Sequence, residues 1–461
     1  MKKLPEHAFW VGLSDGGAKL FGFLAALYLA RHFGVESYGW LIIALSVLGI
    51  AAWCTDLGIR QVATRAVAKG RGAPADVLWL KSTLSVSLFL ISSLVVWYIP
   101  IPMEAKWLII FFLASLIPQA FLLDWYFHGR EQYRWIALSR WLQGVIWLGG
   151  LLLFVQQQEL LLVPGIYIAS MAAAALPLLL AYRGGPPLLQ KPNITSIKQI
   201  AGESVQIGTG SLSTHLVLLL PALLIGWYFS EYEAGLYGAA FKVIAAAMLF
   251  DRLFTTLLLP AVSKAWPERK EQMMTHLQHA ATWMTAIGFL LAIALLFGAE
   301  WVIGFLFGDS YLDAVPLLQV VAFFLPATFY NSIGTFGLIA IGADRPFRRA
   351  SLAGGAGALI LMGAALFTGH LLWIAASVVA AELWIAFCLM STFAKKSGIR
   401  TLRSFLMLSG ACIASLLATF AWGPAWLMAW VFATVLFLLL AVATRTITGS
   451  HLAWLKERVG V

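Results

Sequence analysis

Fourteen apolar segments follow one another along the chain, and each is long enough to cross a bilayer as a helix. The hydrocarbon core offers no water to bond the backbone, so only helices and closed barrels can span it. Barrel strands would show about ten residues of strict alternation, which these segments lack. We therefore predict an all-α polytopic membrane protein with fourteen transmembrane helices, at residues 8–30, 38–59, 82–99, 107–127, 136–155, 160–182, 206–229, 236–262, 280–299, 315–341, 350–369, 371–393, 404–421 and 425–444.

The composition excludes a soluble protein. Of the 461 residues, 61% are apolar and only 11% are charged, against about 25% charged residues in a soluble domain. A soluble enzyme, a DNA-binding protein and a disordered chain all need more polar residues than this. Three cysteines, Cys54, Cys388 and Cys412, are scattered through apolar segments, so we expect no disulfide framework and no metal site. We find no nucleotide-binding motif and expect no cofactor.

The basic residues alternate along this predicted topology. With the N-terminus in the cytoplasm, 26 of the 31 lysines and arginines fall in cytoplasmic segments, and only Arg31 and Lys106 fall outside. Membrane proteins carry an excess of basic residues in their cytoplasmic loops. Both termini are therefore predicted to be cytoplasmic, and the net charge of +10 reflects topology rather than nucleic-acid binding.

A short motif occurs twice along the chain. Tyr38-Gly39 opens the second predicted helix, and Tyr237-Gly238 opens the eighth. Six helices per repeat give both repeats the same orientation, as in transporters built from parallel halves. We predict two six-helix bundles related by a pseudo-two-fold axis, plus two extra C-terminal helices. The predicted boundaries are 1–183 for the first bundle, 184–204 for a cytoplasmic connector, 205–398 for the second bundle, and 399–461 for helices 13 and 14 with the tail.

Further motifs accompany the repeat through the first ten predicted helices. They are Asp56-Leu57-Gly58, Thr64-Arg65, Asp124-Trp-Tyr-Phe-His-Gly129 with Glu131, Gly235-Leu-Tyr-Gly238 with Phe241-Lys242, Pro260-Ala261 with Ser263, and Phe307-Gly308 with Tyr311. As a set they resemble the polysaccharide biosynthesis transporters, O-antigen-type flippases of the multidrug/oligosaccharidyl-lipid/polysaccharide exporter superfamily. The resemblance implies a V-shaped pair of bundles that works by alternating access. It also implies a cargo made of an oligosaccharide on polyprenyl pyrophosphate.

Three basic residues lie inside predicted helices and more than five residues from either end: Lys19 in helix one, and Lys242 and Arg252 in helix eight. A charge there costs at least about 2.5–3.5 kcal/mol on insertion scales unless it is paired or hydrated. Because a pyrophosphate needs fixed positive charge in a low-dielectric interior, we predict that all three line a cavity and bind the cargo's pyrophosphate. In the related lipid-precursor flippases a basic residue stands at the position of Lys19. The alternatives are a self-neutralising pair of Lys19 with Asp15, four residues earlier, and a structural ion pair at Arg252.

Three acidic residues accompany these bases inside the spans, also more than five residues from either end: Asp15, Asp251 and Glu382. We predict that they pair with the bases at rest and, once cargo displaces them, take up a coupling proton or sodium ion. A neutral, hydrogen-bonded glutamate is the alternative at Glu382.

Four more polar residues are expected to have structural roles rather than to bind cargo. Arg31 is placed at the outer mouth, where its side chain can reach the interface. Asp56 and Arg60 are expected to form a pair at the inner rim, and His215 is expected to be a hydrogen-bonded core residue.

The predicted function is a flippase in the bacterial cytoplasmic (inner) membrane that carries a polysaccharide repeat unit, such as O-antigen, to the outer leaflet. Its predicted partners are the lipid-linked oligosaccharide, membrane lipid, and assembly proteins such as a polymerase and glycosyltransferases, with no nucleic acid. A multidrug antiporter of the same superfamily is the first alternative, although cationic drugs would favour a cavity dominated by carboxylates. A membrane glycan polymerase or ligase is the second, although the short predicted outer loops leave little room for a catalytic site.

Overall fold

All regular structure in the described part of the chain is helical. The computed structural model describes residues 4–70, 73–155, 159–183, 185–251, 270–399, 401–423 and 425–448, and no strand occurs among them. Twelve of these described helices are long and apolar enough to cross a membrane. The number is thirteen if the bent pair Asp309–Val321 and Phe324–Ala340 is one span. The prediction of an all-α polytopic protein is therefore confirmed.

The first helix contains two of the predicted segments. Helix α1, Leu4–Asp56, passes through Gly34, whose φ of 77° and ψ of 180° are not helical. Glycine adopts such a φ without the strain that a Cβ would add, so the chain can bend there. As one straight helix the 45 residues Gly12–Asp56 would extend about 68 Å, roughly twice the bilayer core. The exact number of fourteen helices and the pseudo-two-fold relation remain predictions.

The chain divides into two compact units, Met1–Gly238 and Ala239–Val461. The predicted connector 184–204 and the seventh predicted helix fall in the first unit, because α9 packs on α2 and α3 while α10 packs on α1. After α1, the helices up to the division are α2 (Ile59–Ala68), α3 (Pro74–Tyr98), α4 (Met103–Ala114), α5 (Leu116–Ala120), α6 (Asp124–Gly129), α7 (Tyr133–Phe154), α8 (Leu162–Ala181), α9 (Ile194–Gly208), a 3-10 turn (Thr209–Ser211), α10 (Leu212–Tyr228) and α11 (Glu231–Ala247), within which the division falls.

The second unit has an apolar core between its first long helix and its last two helices, around Phe289, Cys412 and Phe437. Its helices after α11 are α12 (Lys270–Phe307), a 3-10 helix (Asp309–Ala314), α13 (Val315–Val321), α14 (Phe324–Ala340), α15 (Asp344–Leu366), α16 (Leu371–Ser397), α17 (Leu402–Trp422) and α18 (Trp426–Ala443).

A tight turn separates α1 from α2 and sets the position of Arg60. Leu57 and Gly58 have φ values of 32° and 90°. A Cβ on Gly58 would lie 2.5 Å from the carbonyl oxygen of Ser204, so only glycine lets this turn approach α9 so closely. The motif Asp56-Leu57-Gly58 is therefore the turn that places Arg60 in the first turn of α2.

Glycines also bring the two Tyr-Gly motifs together within the first unit. A Cβ on Gly39 would collide with the carbonyl oxygen of Glu231, and a Cβ on Gly235 would collide with that of Val35. Tyr38 and Tyr237 are both fully buried beside this contact. The repeated motif is thus a site of close packing between the second half of α1 and the start of α11.

Candidate functional site

Three cavities of about 440, 390 and 400 Å³ lie within the first unit, and the side chain of Arg60 lines all three. We call them the Arg60 cavities. Charged side chains are otherwise rare in membrane-spanning helices and mark hydrated or ligand-binding sites. The walls here include, besides Arg60, the charged residues Asp15, Asp56, Arg65, Lys81, Asp124 and Arg140 and the amide residues Gln61, Gln119 and Gln143.

Arg60 forms an ion pair with Asp124 at the start of α6. Its Nη1 lies 3.5 Å from Asp124 Oδ2. Burial acts to lower the pKa of the Arg60 guanidinium, but the charges of Asp124 and Asp56 outweigh it and the pKa lies above its ordinary value. The expected rim pair of Asp56 with Arg60 is therefore replaced by Arg60–Asp124, and Asp56 acts on Arg60 at longer range.

Arg140 on α7 donates a hydrogen bond to Asp15 on α1, and the two side chains form an ion pair. The neighbouring Trp141 Nε1 donates to the Leu13 carbonyl at 3.1 Å. These two contacts attach the N-terminal part of α1 to α7. The structure thus gives Asp15 a partner on another helix, where the sequence suggested Lys19.

Lys81 on α3 has a different environment from the two arginines. Its side chain is buried, with only 8% of its surface exposed, and it lines the cavity of about 390 Å³ together with Asp124, Ser85 and Gln119. It makes no hydrogen bond and no close ion pair with any described residue, although its charge acts on Asp124. The Arg60 cavities therefore contain a buried lysine that shares the Asp124 carboxylate with Arg60.

Aromatic and polar groups from α1 and α10 close one side of the same cavity. Trp53 Nε1 donates to Ser211 Oγ at 3.2 Å, and His215 Nδ1 donates to the Ser211 carbonyl at 2.9 Å. The rings of Trp53 and His215 stack with centroids 5.5 Å apart. His215 has hydrogen-bond and stacking partners, as expected, but it is half-buried in a cavity wall rather than enclosed in a core.

The basic residues chosen from the sequence lie in different places. Lys19 is half-buried on α1 and is not among the residues that line the Arg60 cavities. Lys242 lies on α11 in the second unit, and Arg252 falls outside the described residues. Arg31 is exposed on α1, three residues before the bend at Gly34.

The two predicted acidic residues of the second unit lie in one buried polar cluster. Asn331 Nδ2 donates to Glu382 Oε1 at 2.9 Å, and Ser332 Oγ donates to Asp251 Oδ2 at 2.7 Å. Glu382 and Asp251 are only 4% and 6% exposed, and their charges interact. We call these four residues the acidic cluster. Oxygen groups of this kind suit a proton or a hard cation, although no group of three or more His, Cys, Asp or Glu suited to a metal occurs among the described residues.

Four residues of these sites were not predicted from the sequence: Lys81, Arg140, Asn331 and Ser332. Lys81 and Arg140 lie close to span ends, so they were counted with the cytoplasmic loops, and only the packing of α3 and α7 reveals their cavity. The adjacent pair Asn331-Ser332 inside an apolar helix was an available signal, because buried polar side chains need partners.

One family model and two known proteins match the chain, and their names all refer to polysaccharide or glycan biosynthesis or to O-antigen transport. Residues 5–266 match the family model described as polysaccharide biosynthesis protein. The chain is 22% identical over 320 residues to the "Probable low-salt glycan biosynthesis flippase Agl15" of Haloferax volcanii, and this match spans 66% of each protein. It is 20% identical over 332 residues to the "Putative O-antigen transporter" of Escherichia coli K12, covering 69% of this chain and 79% of that protein.

Solved structures share the fold over most of the chain. The lipid II flippase MurJ, in an inward closed conformation, has a TM-score of 0.72 at 12% identity, covering 94% of this chain and 98% of its own. An inward-facing multidrug resistance MATE family transporter of the MOP superfamily has a TM-score of 0.69 at 14% identity, covering 83% of this chain and 94% of its own.

Proposed function

Because the chain belongs to the polysaccharide biosynthesis protein family, we propose that it is a flippase for a lipid-linked oligosaccharide. The cargo is a polysaccharide repeat unit, such as O-antigen, on polyprenyl pyrophosphate, and it moves from the inner to the outer leaflet of the bacterial cytoplasmic membrane by alternating access. The names of the two relatives, a glycan biosynthesis flippase and an O-antigen transporter, support this class of cargo. Glycosyltransferases would supply the repeat unit and a polymerase would use it.

The observation that carries this proposal is the buried Lys81 in the Arg60 cavities. Lys81 and Arg60 share the carboxylate of Asp124, and burial of a base whose charge is only partly neutralised is costly. An anionic group in the cavity would offset that cost, because opposite charges attract strongly where the dielectric constant is low. The pyrophosphate of the cargo is such a group, and its several oxygens could also accept hydrogen bonds from Arg60 and Arg140.

Binding of the pyrophosphate would compete with Asp124 and Asp15 for the two arginines. This competition would make the ion pairs Arg60–Asp124 and Arg140–Asp15 part of the transport cycle rather than fixed structural links. Lys19, Lys242 and Arg252 keep their proposed roles as further pyrophosphate contacts, and Arg31 keeps its role at the outer mouth.

The acidic cluster is our proposed site of ion coupling. Asp251 and Glu382 are buried, close enough for their charges to interact, and each accepts a hydrogen bond from α14. A proton or a sodium ion bound at this cluster would reduce the negative charge that two buried carboxylates carry. Its uptake and release can therefore be linked to transport of the cargo without ATP.

Flipping of a fluorescent polyprenyl-pyrophosphate oligosaccharide in liposomes tests the proposal. We expect Lys81→Met to reduce the initial rate at least about tenfold, since charge-assisted hydrogen bonds contribute roughly 1.5–3 kcal/mol. Lys81→Arg should keep a measurable rate because it retains the charge. The matched control is Lys69→Met, which removes an exposed lysine that follows α2.

Each variant in this comparison must be monodisperse and must keep the wild-type melting temperature. Wild-type flipping by Lys81→Met would show that the cavity lysine does not bind cargo. If the wild-type protein flips no lipid-linked oligosaccharide at all, the flippase proposal itself is wrong.

Export of cationic drugs is the second candidate, and the acidic cluster is the observation that favours it, because buried carboxylates can exchange cations. In the same liposomes, a proton-driven loss of ethidium without any flipping of the lipid-linked oligosaccharide would support the antiporter.

A further inference from the structure

A separate cavity of about 630 Å³ lies at the end of α12 in the second unit. Its walls combine four aromatic rings with two carboxylates, and no lysine or arginine of the described residues lines it. We call it the Trp301 cavity and define it by Phe297, Glu300, Trp301, Phe305, Asp309 and Trp426. None of these residues belongs to the Arg60 cavities or the acidic cluster.

The two carboxylates lie on one side of α12. Gly304 follows Glu300 by four residues, which places it one turn further along the same face. A Cβ on Gly304 would lie 3.9 Å from Asp309 Oδ1, so the Asp309 carboxylate lies beside this face of the helix. Both acidic residues are exposed. Together they provide two negative charges that a positively charged group could approach from solvent.

Exposed aromatic rings form the remaining walls. Trp301 and Phe305 stack in parallel, with centroids 5.2 Å apart and planes inclined by 1°. Trp301 is 63% exposed and Trp426 is 58% exposed. Tryptophan and phenylalanine faces attract cations and also cover acyl chains and glycerol at membrane interfaces.

The position of the Trp301 cavity along α12 restricts its occupant. The candidate membrane span Met274–Phe307 includes Glu300, and its 34 residues extend about 51 Å, more than the roughly 30 Å of the hydrocarbon core. The ten residues from Phe297 to Phe307 extend about 15 Å along the axis. The cavity therefore reaches from the edge of the hydrocarbon core into the headgroup region, which is the vertical extent of a phospholipid headgroup with the start of its acyl chains.

From this geometry we infer that the Trp301 cavity binds a zwitterionic phospholipid with a primary ammonium headgroup, such as phosphatidylethanolamine. The ammonium group donates hydrogen bonds to Glu300 and Asp309, and the acyl chains cover Phe297 and Trp301. An anionic lipid would meet two carboxylates and no base among the described lining residues, so it is disfavoured. An amino sugar has the same ammonium group but no apolar part to cover Phe297.

Native mass spectrometry of the full-length protein in detergent tests this inference with three probes. Phosphatidylethanolamine, phosphatidylcholine and phosphatidylglycerol are supplied at equal concentration, and the bound fractions are compared. We expect phosphatidylethanolamine to exceed phosphatidylglycerol about fivefold, the upper range for exposed charge pairs. The double variant Glu300→Gln with Asp309→Asn should make the bound fractions equal.

Two further variants make the result specific. Glu104→Gln removes an exposed carboxylate near the start of α4 and should leave the lipid preference unchanged. Trp301→Ala should lower the bound fraction of all three lipids, because it removes the covering ring. The inference is overturned if the double variant keeps the wild-type preference, if wild type binds the three lipids equally, or if glucosamine displaces the ethanolamine lipid.

Discussion

Asp124 lies between two basic residues, and its negative charge opposes the attraction of the Arg60 cavities for an anion. It pairs with Arg60 at 3.5 Å, and the charge of Lys81 also acts on it. Removal of this one carboxylate would leave Lys81 and Arg60 with less compensating negative charge in the same walls. The residue therefore has opposite expected effects on stability and on anion binding.

We predict that Asp124→Asn destabilises the empty protein by about 1–3 kcal/mol, the range for the loss of a partner of a charged group. The same variant should be stabilised more than wild type by inorganic pyrophosphate, which can take the place of the carboxylate. Melting curves with and without pyrophosphate measure both effects, and Glu36→Gln, at an exposed acidic residue, is the control. A variant that gains no extra stabilisation from pyrophosphate would argue against an anion site.

Glu382 allows a second residue-scale prediction. Glu382→Gln keeps an oxygen that can accept from Asn331 Nδ2 but removes the charge. We expect flipping in this variant to become independent of an imposed proton or sodium gradient, while equilibration of the cargo between leaflets continues. Gradient-driven flipping at the wild-type rate would exclude Glu382 from coupling.

At the scale of elements, packing of helices through glycine is the most sharply defined feature. We predict that Gly39→Ala destabilises the protein by about 1–3 kcal/mol, the usual effect of overpacking, because its Cβ has no space beside the Glu231 carbonyl. Gly22→Ala on the same helix has no atom within 4 Å of its Cβ and should be neutral or slightly stabilising. Equal melting temperatures for the two variants would contradict this account of the Tyr-Gly motif.

The helices could be predicted from the sequence far better than the site. An apolar stretch in lipid has one satisfactory backbone conformation, so composition alone identifies the spans. The bend at Gly34 carried a weaker signal, since most glycines in helices do not bend them. Nothing in the sequence indicated that Lys81 and Arg140 line a cavity. A long basic side chain near a span end can reach either the cytoplasm or a cavity, and the neighbouring helices decide which.

At the scale of the whole molecule, the direction of transport depends on the orientation of the chain in the membrane. The distribution of basic residues predicts that both termini are cytoplasmic. With Cys54, Cys388 and Cys412 replaced, a cysteine at Glu104 should react with an impermeant maleimide added to whole cells. A cysteine at Lys396 should react only after the cells are opened. The reverse pattern would invert the topology and with it the proposed direction of transport.

The contact between the two Tyr-Gly motifs also has an evolutionary consequence. The Glu231 carbonyl can approach residue 39, and the Val35 carbonyl can approach residue 235, only because both positions are glycine. If the two motifs descend from one duplicated segment, neither copy has since been free to diverge alone. A side chain gained in one copy must be matched by a backbone shift in the other, so we expect these positions to covary in an alignment of homologues, as residues do across a subunit interface.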